Sequence, residues 1–327
     1  MVNQEAPFVS VIVLNHNGKK FLEKCLSSIY KNTYANFEVI LVDNASEDDS
    51  LKMVREKFNE TKIIFNKIGL GFAGGFNKGI SKAKGKLILL LSNDTWIDKN
   101  FIKEMTLFYL KNNFEVISPR EANYQGKKNP IYTTRIDPLG HSVFLKGVNE
   151  KSFYLTGVSL FFNKDIYERS GGMDNDFFLY CEDVDWFWRL QLLKIPFSYA
   201  DVYINHFGAG SSGGVGKKIK NSVFYFRNRN TLQMLIKNYS IGGLIIVIPF
   251  YLFQNIFEIL FFLLILRPDI SVTYLRSYYY IYKNLRSILV KRKAVQKERK
   301  INDLKILRNM YLGFGKLYHL KQFYGKA

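Results

Sequence analysis

The first 120 residues alternate between unbroken apolar runs and stretches in which apolar side chains recur every three or four positions. "FVSVIVLNHN" has the form of a buried strand, and "KKFLEKCLSSIYK" after it sets Phe21, Leu22, Cys25, Leu26 and Ile29 on one helical face. "FEVILVDNAS" repeats the strand, and "SEDDSLKMVREKF" repeats the helix with carboxylates at its start. "TKIIFN", "KLILLLSNDT" and "EVISP" add strands, while "NKGISKAKG" and "NFIKEMTLFYLKN" add helices. Strands this apolar must be covered on both faces. The pattern therefore predicts an α/β fold with a mostly parallel sheet between helical layers.

Residues 121–155 are more polar and predict hairpins or loops. Order resumes with "FYLTGVSLFFNKDIYERSGG", and "EDVDWFWRLQLLK" predicts a helix that opens on carboxylates. Beyond Phe224 the chain is helical, and from Ile241 to Leu266 nearly every residue is apolar. The boundary expected from this shift lies near residue 225. It separates an N-terminal α/β domain (1–225) from a C-terminal helical region (226–327).

Open parallel sheets bind ligands at the carboxyl ends of their strands. Those ends here carry Asn15-His16-Asn17, Asp43-Asn44, Asn66 and Ser92-Asn93-Asp94. One such residue is as readily a turn former, but several along one edge predict a binding crevice. "GLGFAGGFNKG", from Gly69, contains G-x-G-x-x-G, and Asp94 even supplies an acidic residue at about the dinucleotide-binding spacing. The glycines follow the third strand rather than the first, however, and Asn66-Lys67 intervenes. They fit backbone approach to a ligand phosphate at a helix start better than a dehydrogenase fingerprint. Further on, Glu182, Asp183 and Asp185 precede Trp186, Trp188 and Arg189, and His206 follows in "YINHFGAGSSG". Carboxylates at a helix start complement its dipole; beside aromatic surface they also suit a general base.

Six segments in order, "VSVIVLNHNGKKFLEKCLSSI", "FEVILVDNASEDDS", "NKIGLGFAGGFNKGI", "LILLLSNDTWID", "FFLYCEDVDWFWRL" and "INHFGAGSS", resemble the inverting family 2 glycosyltransferases, most closely their rhamnosyltransferase-like branch. The resemblance implies a GT-A fold, a nucleotide-diphosphate sugar donor, dTDP- or UDP-linked with rhamnose as first expectation, and a divalent cation (Mg²⁺ or Mn²⁺). By position, Asp43 resembles the acidic residue that recognises the base, and Asn15 and Asn17 fall in the loop lining the donor pocket. Gly74, Gly75 and Asn77 match the donor-binding "GGxN" segment. Asp94 matches the last acidic position of the metal-binding D-x-D motif, His206 the histidine that completes metal binding, and Asp183 the catalytic base. Asn93 and Glu182 count among the substrate-binding candidates. Trp186, with Phe177, Phe178 and Tyr180, is a candidate acceptor platform, with core packing the simpler account. The chain departs from the pattern at Ser92, which stands where the first D-x-D carboxylate belongs.

Charge adds a partner. Of the formal net charge of +19, the 61 residues from Arg267 onward hold 15 Lys/Arg against 3 Asp/Glu. Basic residues flanking an apolar run favour an anionic membrane surface over nucleic acid. A single crossing would export that tail from the cytoplasm, where nucleotide sugars are found, against the positive-inside tendency. The run is therefore expected to be interfacial or re-entrant on the cytoplasmic face, which suits a polyprenyl-linked glycan acceptor. The N-terminus has no signal-peptide pattern, and two cysteines make neither a disulfide framework nor a metal cluster. Two rivals remain: a nucleotide-dependent oxidoreductase built on Gly69–Gly74, which leaves "EDVDW" and "INH" without roles, and a non-catalytic membrane-binding protein with a decayed site, supported by Ser92.

Overall fold

A computed structural model describes residues 6–147, 151–208 and 220–318. The end of the "INHFGAGSS" segment and the last residues of the basic tail lie outside the described residues. The strands are β1 (Val9–Asn15), β2 (Phe37–Asn44), β3 (Lys62–Asn66), β4 (Leu87–Ser92), β5 (Thr95–Trp96) and β6 (Val116–Ala122). After them come β7 (Tyr132–Ile136), β8 (Ser142–Lys146), β9 (Ser159–Asn163) and β10 (Phe197–His206). The helices are α1 (Lys19–Tyr30), α2 (Ser50–Lys57), α3 (Gly71–Lys82), α4 (Phe101–Lys111) and α5 (Lys164–Arg169). The later ones are α6 (Glu182–Leu192), α7 (Asn221–Asn238), α8 (Ile241–Leu264), α9 (Pro268–Glu298) and α10 (Asp303–Leu307).

Two compact units are present. One comprises Met1–Pro130, Leu155–Phe178 and Ile195–Val215; the other comprises Ile131–Tyr154, Leu179–Lys194 and Gly216–Ala327. The boundary expected near residue 225 falls inside α7, and each unit is assembled from separated segments.

The first unit contains an eight-stranded sheet ordered β3-β2-β1-β4-β9-β6-β10-β5. β3, β2, β1 and β4 are parallel, as are β6 and β10, while β9 enters antiparallel between β4 and β6. Period-two alternation divides β1 between two helical layers. Val9, Val11 and Val13 pack with Leu22, Leu26 and Ile29 of α1 and with Phe101 and Met105 of α4. Ile12 and Leu14 face α3, closely enough that only glycine fits opposite them. A Cβ at Gly79 would lie 2.5 Å from Ile12 Cγ2, and one at Gly75 2.4 Å from Leu14 Cδ1. That packing also explains why α3 begins at Gly71, earlier than the helix-like "NKGISKAKG". Glycine's low helix propensity is outweighed by the sheet surface the helix buries.

The second unit contains the β7–β8 hairpin, which lies within the polar 121–155 stretch, together with α6 and the helices from α7 onward. Phe153, Trp188 and Tyr239 stack edge to face in its core.

Candidate active site

In the first unit the carboxyl ends of β1, β2 and β4 lie side by side, with Asn15 in register with Asp43 and Leu14 with Ser92. Asn15 is the hub. Its Nδ2 donates to Asp43 Oδ1 (2.9 Å), Ser50 Oγ (3.0 Å) and Ser46 Oγ (3.1 Å), and its Oδ1 accepts from Asn93 Nδ2 (2.7 Å). Asp43 Oδ2 accepts the Ser46 N–H at 3.1 Å. Asn15 and Asp43 are fully buried, so the network satisfies groups that burial would otherwise penalise and holds the loops above them. Asn17 adopts a left-handed backbone (φ 51°). Its N–H donates to Ser46 Oγ (2.9 Å) and its Oδ1 accepts the Glu47 N–H (2.8 Å). Gly18 beside it leaves room for the amide bridge, since a Cβ there would lie 1.9 Å from Asn93 Nδ2.

The glycine loop is closed by its own chain. Asn44 Nδ2 donates to Gly71 O (2.9 Å), and the Phe72 N–H at the start of α3 donates to Phe178 O (2.6 Å). Gly71 has φ 71°, and a Cβ there would lie 2.0 Å from Phe178 O. Gly74 has Leu70 Cβ at 2.9 Å and Asn175 Oδ1 at 3.7 Å from its own Cβ position. Asn77 donates to Met173 O (2.8 Å) and Asn175 Oδ1 (2.6 Å), and accepts the Tyr167 hydroxyl (2.5 Å). These contacts tie α3 to residues 167–178.

At the end of β10, His206 Nε2 lies 3.3 Å from Asp94 Oδ2, and Nδ1 lies 3.0 Å from Glu121 Oε2. Glu121 Oε1 in turn accepts the Thr156 hydroxyl at 3.1 Å. Burial alone would lower the His206 pKa, but hydrogen bonds to Asp94 and Glu121 outweigh it and hold the imidazole up at about 9. Asp94 Oδ2 is otherwise buried without a well-aligned donor. An orphaned carboxylate oxygen beside an imidazole nitrogen fits a divalent cation, with Glu121 orienting the ring from its far side. Among the described residues no three such groups converge as ligands, so a cation held by Asp94 and His206 would take its other ligands from phosphate and water.

In the second unit, the segment before α6 is strained. Tyr180 (φ 71°) and Cys181 (φ 65°) are left-handed, a conformation that costs about 1–3 kcal/mol per non-glycine residue. Asn230 of α7 clamps the turn, its Nδ2 donating to Leu179 O (2.8 Å) and Tyr180 O (2.7 Å). Glu182 follows, buried, with Oε2 lacking a hydrogen-bond partner. Burial and the neighbouring Asp183 charge push its carboxyl well above the usual range. Asp183 is half-buried, and its Oδ1 accepts the Val184 N–H at 2.7 Å. Asp185, fully buried, accepts from Arg189 Nε, Lys237 Nζ and Asn238 Nδ2, each at 3.0 Å. The Trp186 ring is enclosed in the core.

Residues 10–171 match the family described as "Glycosyl transferase family 2". The chain carries a family 2 glycosyltransferase domain. An uncharacterized glycosyltransferase of Haemophilus influenzae is 23% identical over 258 residues, covering 72% of this chain and 79% of that protein. The Escherichia coli UDP-Glc:alpha-D-GlcNAc-diphosphoundecaprenol beta-1,3-glucosyltransferase WfgD is 32% identical over 119 residues, covering 36% of this chain and 46% of that enzyme. Among solved structures, Staphylococcus aureus TarS (1–349) in complex with UDP superposes with TM-score 0.53 at 19% identity, covering 71% of this chain and 66% of that one. GalNAc-T7 with UDP, GalNAc and Mn²⁺ superposes with TM-score 0.58 at 14% identity, covering 72% and 48%. The chain thus spans less than half of WfgD and of GalNAc-T7, and the two structures speak for the fold.

Within this glycosyltransferase the structure brings together Asn15, Asn17, Asp43 and Asn93 in one network and pairs Asp94 with His206. Gly74, Gly75 and Asn77 pack and brace α3. Glu182, Asp183 and Trp186 share α6, where Trp186 is core. Gly18, Ser46, Ser50, Glu121 and Asn230 also take part in these contacts. Ser46 and Ser50 were visible inside "DNASEDDS", and Gly18 inside "NHNG". Glu121 and Asn230 carried no local signal, because their partners are remote in the chain.

Proposed function

We propose that this glycosyltransferase transfers a hexose, with inversion, from a nucleoside-diphosphate donor to a lipid-linked glycan on the cytoplasmic face of a membrane, in the synthesis of cell-surface polysaccharide. The observation that carries the reading is the buried Asn15–Asp43–Asn93 network along the strand ends, with the Asp94–His206 pair in the same unit. UDP is the donor nucleotide best supported, since it is the ligand named for TarS and GalNAc-T7. dTDP-rhamnose is the expectation from the rhamnosyltransferase-like motifs. The lipid-linked acceptor draws support from WfgD, whose name specifies a diphosphoundecaprenol acceptor.

In the proposed chemistry Asp183, by its place in the "ED" motif, accepts the proton of the attacking sugar hydroxyl. The hydroxyl oxygen bonds to the anomeric carbon as the bond to the diphosphate breaks, and the electron pair leaves with the nucleotide. Asn15 and Asp43 hold the loops that receive the donor, and Asn17 and Asn93 present polar groups there. A divalent cation held by Asp94 and His206 would offset the charge of the departing diphosphate. Thermal stabilisation by UDP, dTDP, GDP and NADH, each with and without Mn²⁺, tests the reading. A shift with UDP or dTDP that grows with Mn²⁺ is expected; a shift with NADH alone would return the glycine loop to the oxidoreductases.

A further inference from the structure

α8 is 24 residues long, about 36 Å at 1.5 Å per residue, so its length alone would permit a membrane crossing. Its side chains are divided by face. Val247, Tyr251 and Asn255 are buried against the protein, and Gln254 and Glu258 lie half-buried on the same stripe at helical spacing. Gln254, Asn255 and Glu258, the polar interruptions of the apolar run, fall on that stripe, and each makes a hydrogen bond there. Gln254 contacts His141 Nε2 (3.0 Å) and donates to Glu258 Oε1 (2.9 Å), Asn255 donates to the Tyr278 hydroxyl (2.8 Å), and Lys316 Nζ pairs with Glu258. The remaining circumference, including Ile245, Ile246, Phe250, Phe253 and Phe257, is exposed.

α9 is a different kind of surface. Arg276, Lys283, Arg286, Lys293 and Lys297 are exposed along it, interleaved with exposed Tyr279, Tyr282 and Val290. Its only acidic residues, Asp269 and Glu298, lie at its two ends, and Asp269 is paired with Arg267. Where the two helices meet, Leu264 at the end of α8 and Leu266 in the turn are 82% and 85% exposed.

We infer that α8 and α9 dock on one leaflet of an anionic bilayer, with α8 sunk lengthwise and α9 at headgroup level, and that α8 does not span. This deepens the membrane placement in the proposed function and rests on it. A crossing α8 would carry His141, from the β7–β8 turn, and Lys316 with its Glu258 partner to the hydrocarbon centre, where such groups are costly. An in-plane helix keeps them on the protein side and gives the apolar circumference to acyl chains. The Lys/Arg residues of α9 then meet anionic headgroups, and its tyrosines sit at the interface. A second copy of the chain would cover the apolar face of α8 but would leave the basic face of α9 unopposed.

Flotation of the full-length protein with phosphatidylcholine vesicles, with and without phosphatidylglycerol, tests this. Co-flotation with the anionic vesicles that weakens in high salt is expected. Lys283→Glu/Arg286→Glu/Lys293→Glu should lower partitioning by roughly a hundredfold, and Phe253→Asn/Phe257→Asn should abolish it. A stable dimer that does not float would overturn the inference, as would protection of the C-terminal tail from protease added outside sealed inverted vesicles. UDP stabilisation of the same variants separates the two readings. A UDP shift without flotation sinks the docking alone, and flotation without any nucleotide shift sinks the transferase reading alone.

Discussion

At the scale of single residues the candidate chemistry rests on carboxylates in contrasting surroundings. Asp183 is half-buried, whereas Glu182 beside it is enclosed, its carboxyl pushed well above the usual range by burial and by its neighbour's charge. Asp183→Asn should lower transfer by on the order of 10²–10⁴, the usual contribution of acid–base catalysis, with UDP stabilisation unchanged. Transfer within tenfold of wild type would remove Asp183 from its role. His206 makes a pH prediction. Its folded pKa, raised to about 9 by Asp94 and Glu121, exceeds the unfolded value of about 6.5. Its contribution to stability should be complete below that unfolded value and lost as pH rises through about 9. Melting curves in chelator across that window should slope downward, and His206→Asn should flatten them. Asp43, Asp94 and His206 were legible from motif and strand-end position. Glu121 was not, because only the parallel pairing of β6 with β10 carries it to His206 from 85 residues away.

At the scale of elements the close packing of α3 on the sheet depends on glycine. Gly79→Ala would set a Cβ 2.5 Å from Ile12 Cγ2 and 2.9 Å from Val42 Cγ2. Both neighbours are β-branched and buried, so the helix must move. A cost of about 1–3 kcal/mol is expected, as for other overpacked cores, and urea denaturation should show it as a lower midpoint. An unchanged midpoint would mean that α3 rides further from the sheet. The glycines of "GLGFAGGFNKG" were legible as a string, but the work of Gly75 and Gly79 in helix-on-sheet packing was not, since that depends on the facing strands.

For the whole molecule, α7 acts as a brace rather than a linker. Lys237 and Asn238 reach the buried Asp185, and Asn230 holds the strained turn before α6. A fragment ending at residue 225 would keep Asp185 but lose both α7 partners. Breaking a buried charge pair costs about 3–5 kcal/mol, a large part of the roughly 5–15 kcal/mol that stabilises a domain. Circular dichroism of that fragment is expected to show no cooperative melt; a sharp transition would establish residues 1–225 as an autonomous domain.

By itself the sequence determined what depends on short-range order. Apolar runs and helical periodicity specified the strands and helices of the first 120 residues, and polar residues at strand ends specified the edge where a ligand would sit. The apolar run specified one long helix, and the excess of Lys and Arg after it was equally plain. Tertiary structure decided what depends on groups remote in the chain. It inserted β9 antiparallel into the sheet, brought Glu121 to His206, enclosed Trp186 and set Asn230 against the turn before Asp183. It also turned Gln254, Asn255 and Glu258 of α8 toward the protein. The physical reason is the same in each case: a side chain's solvation, charge and partners are set by whatever folds against it, and a linear pattern records only the residue's own half of that contact.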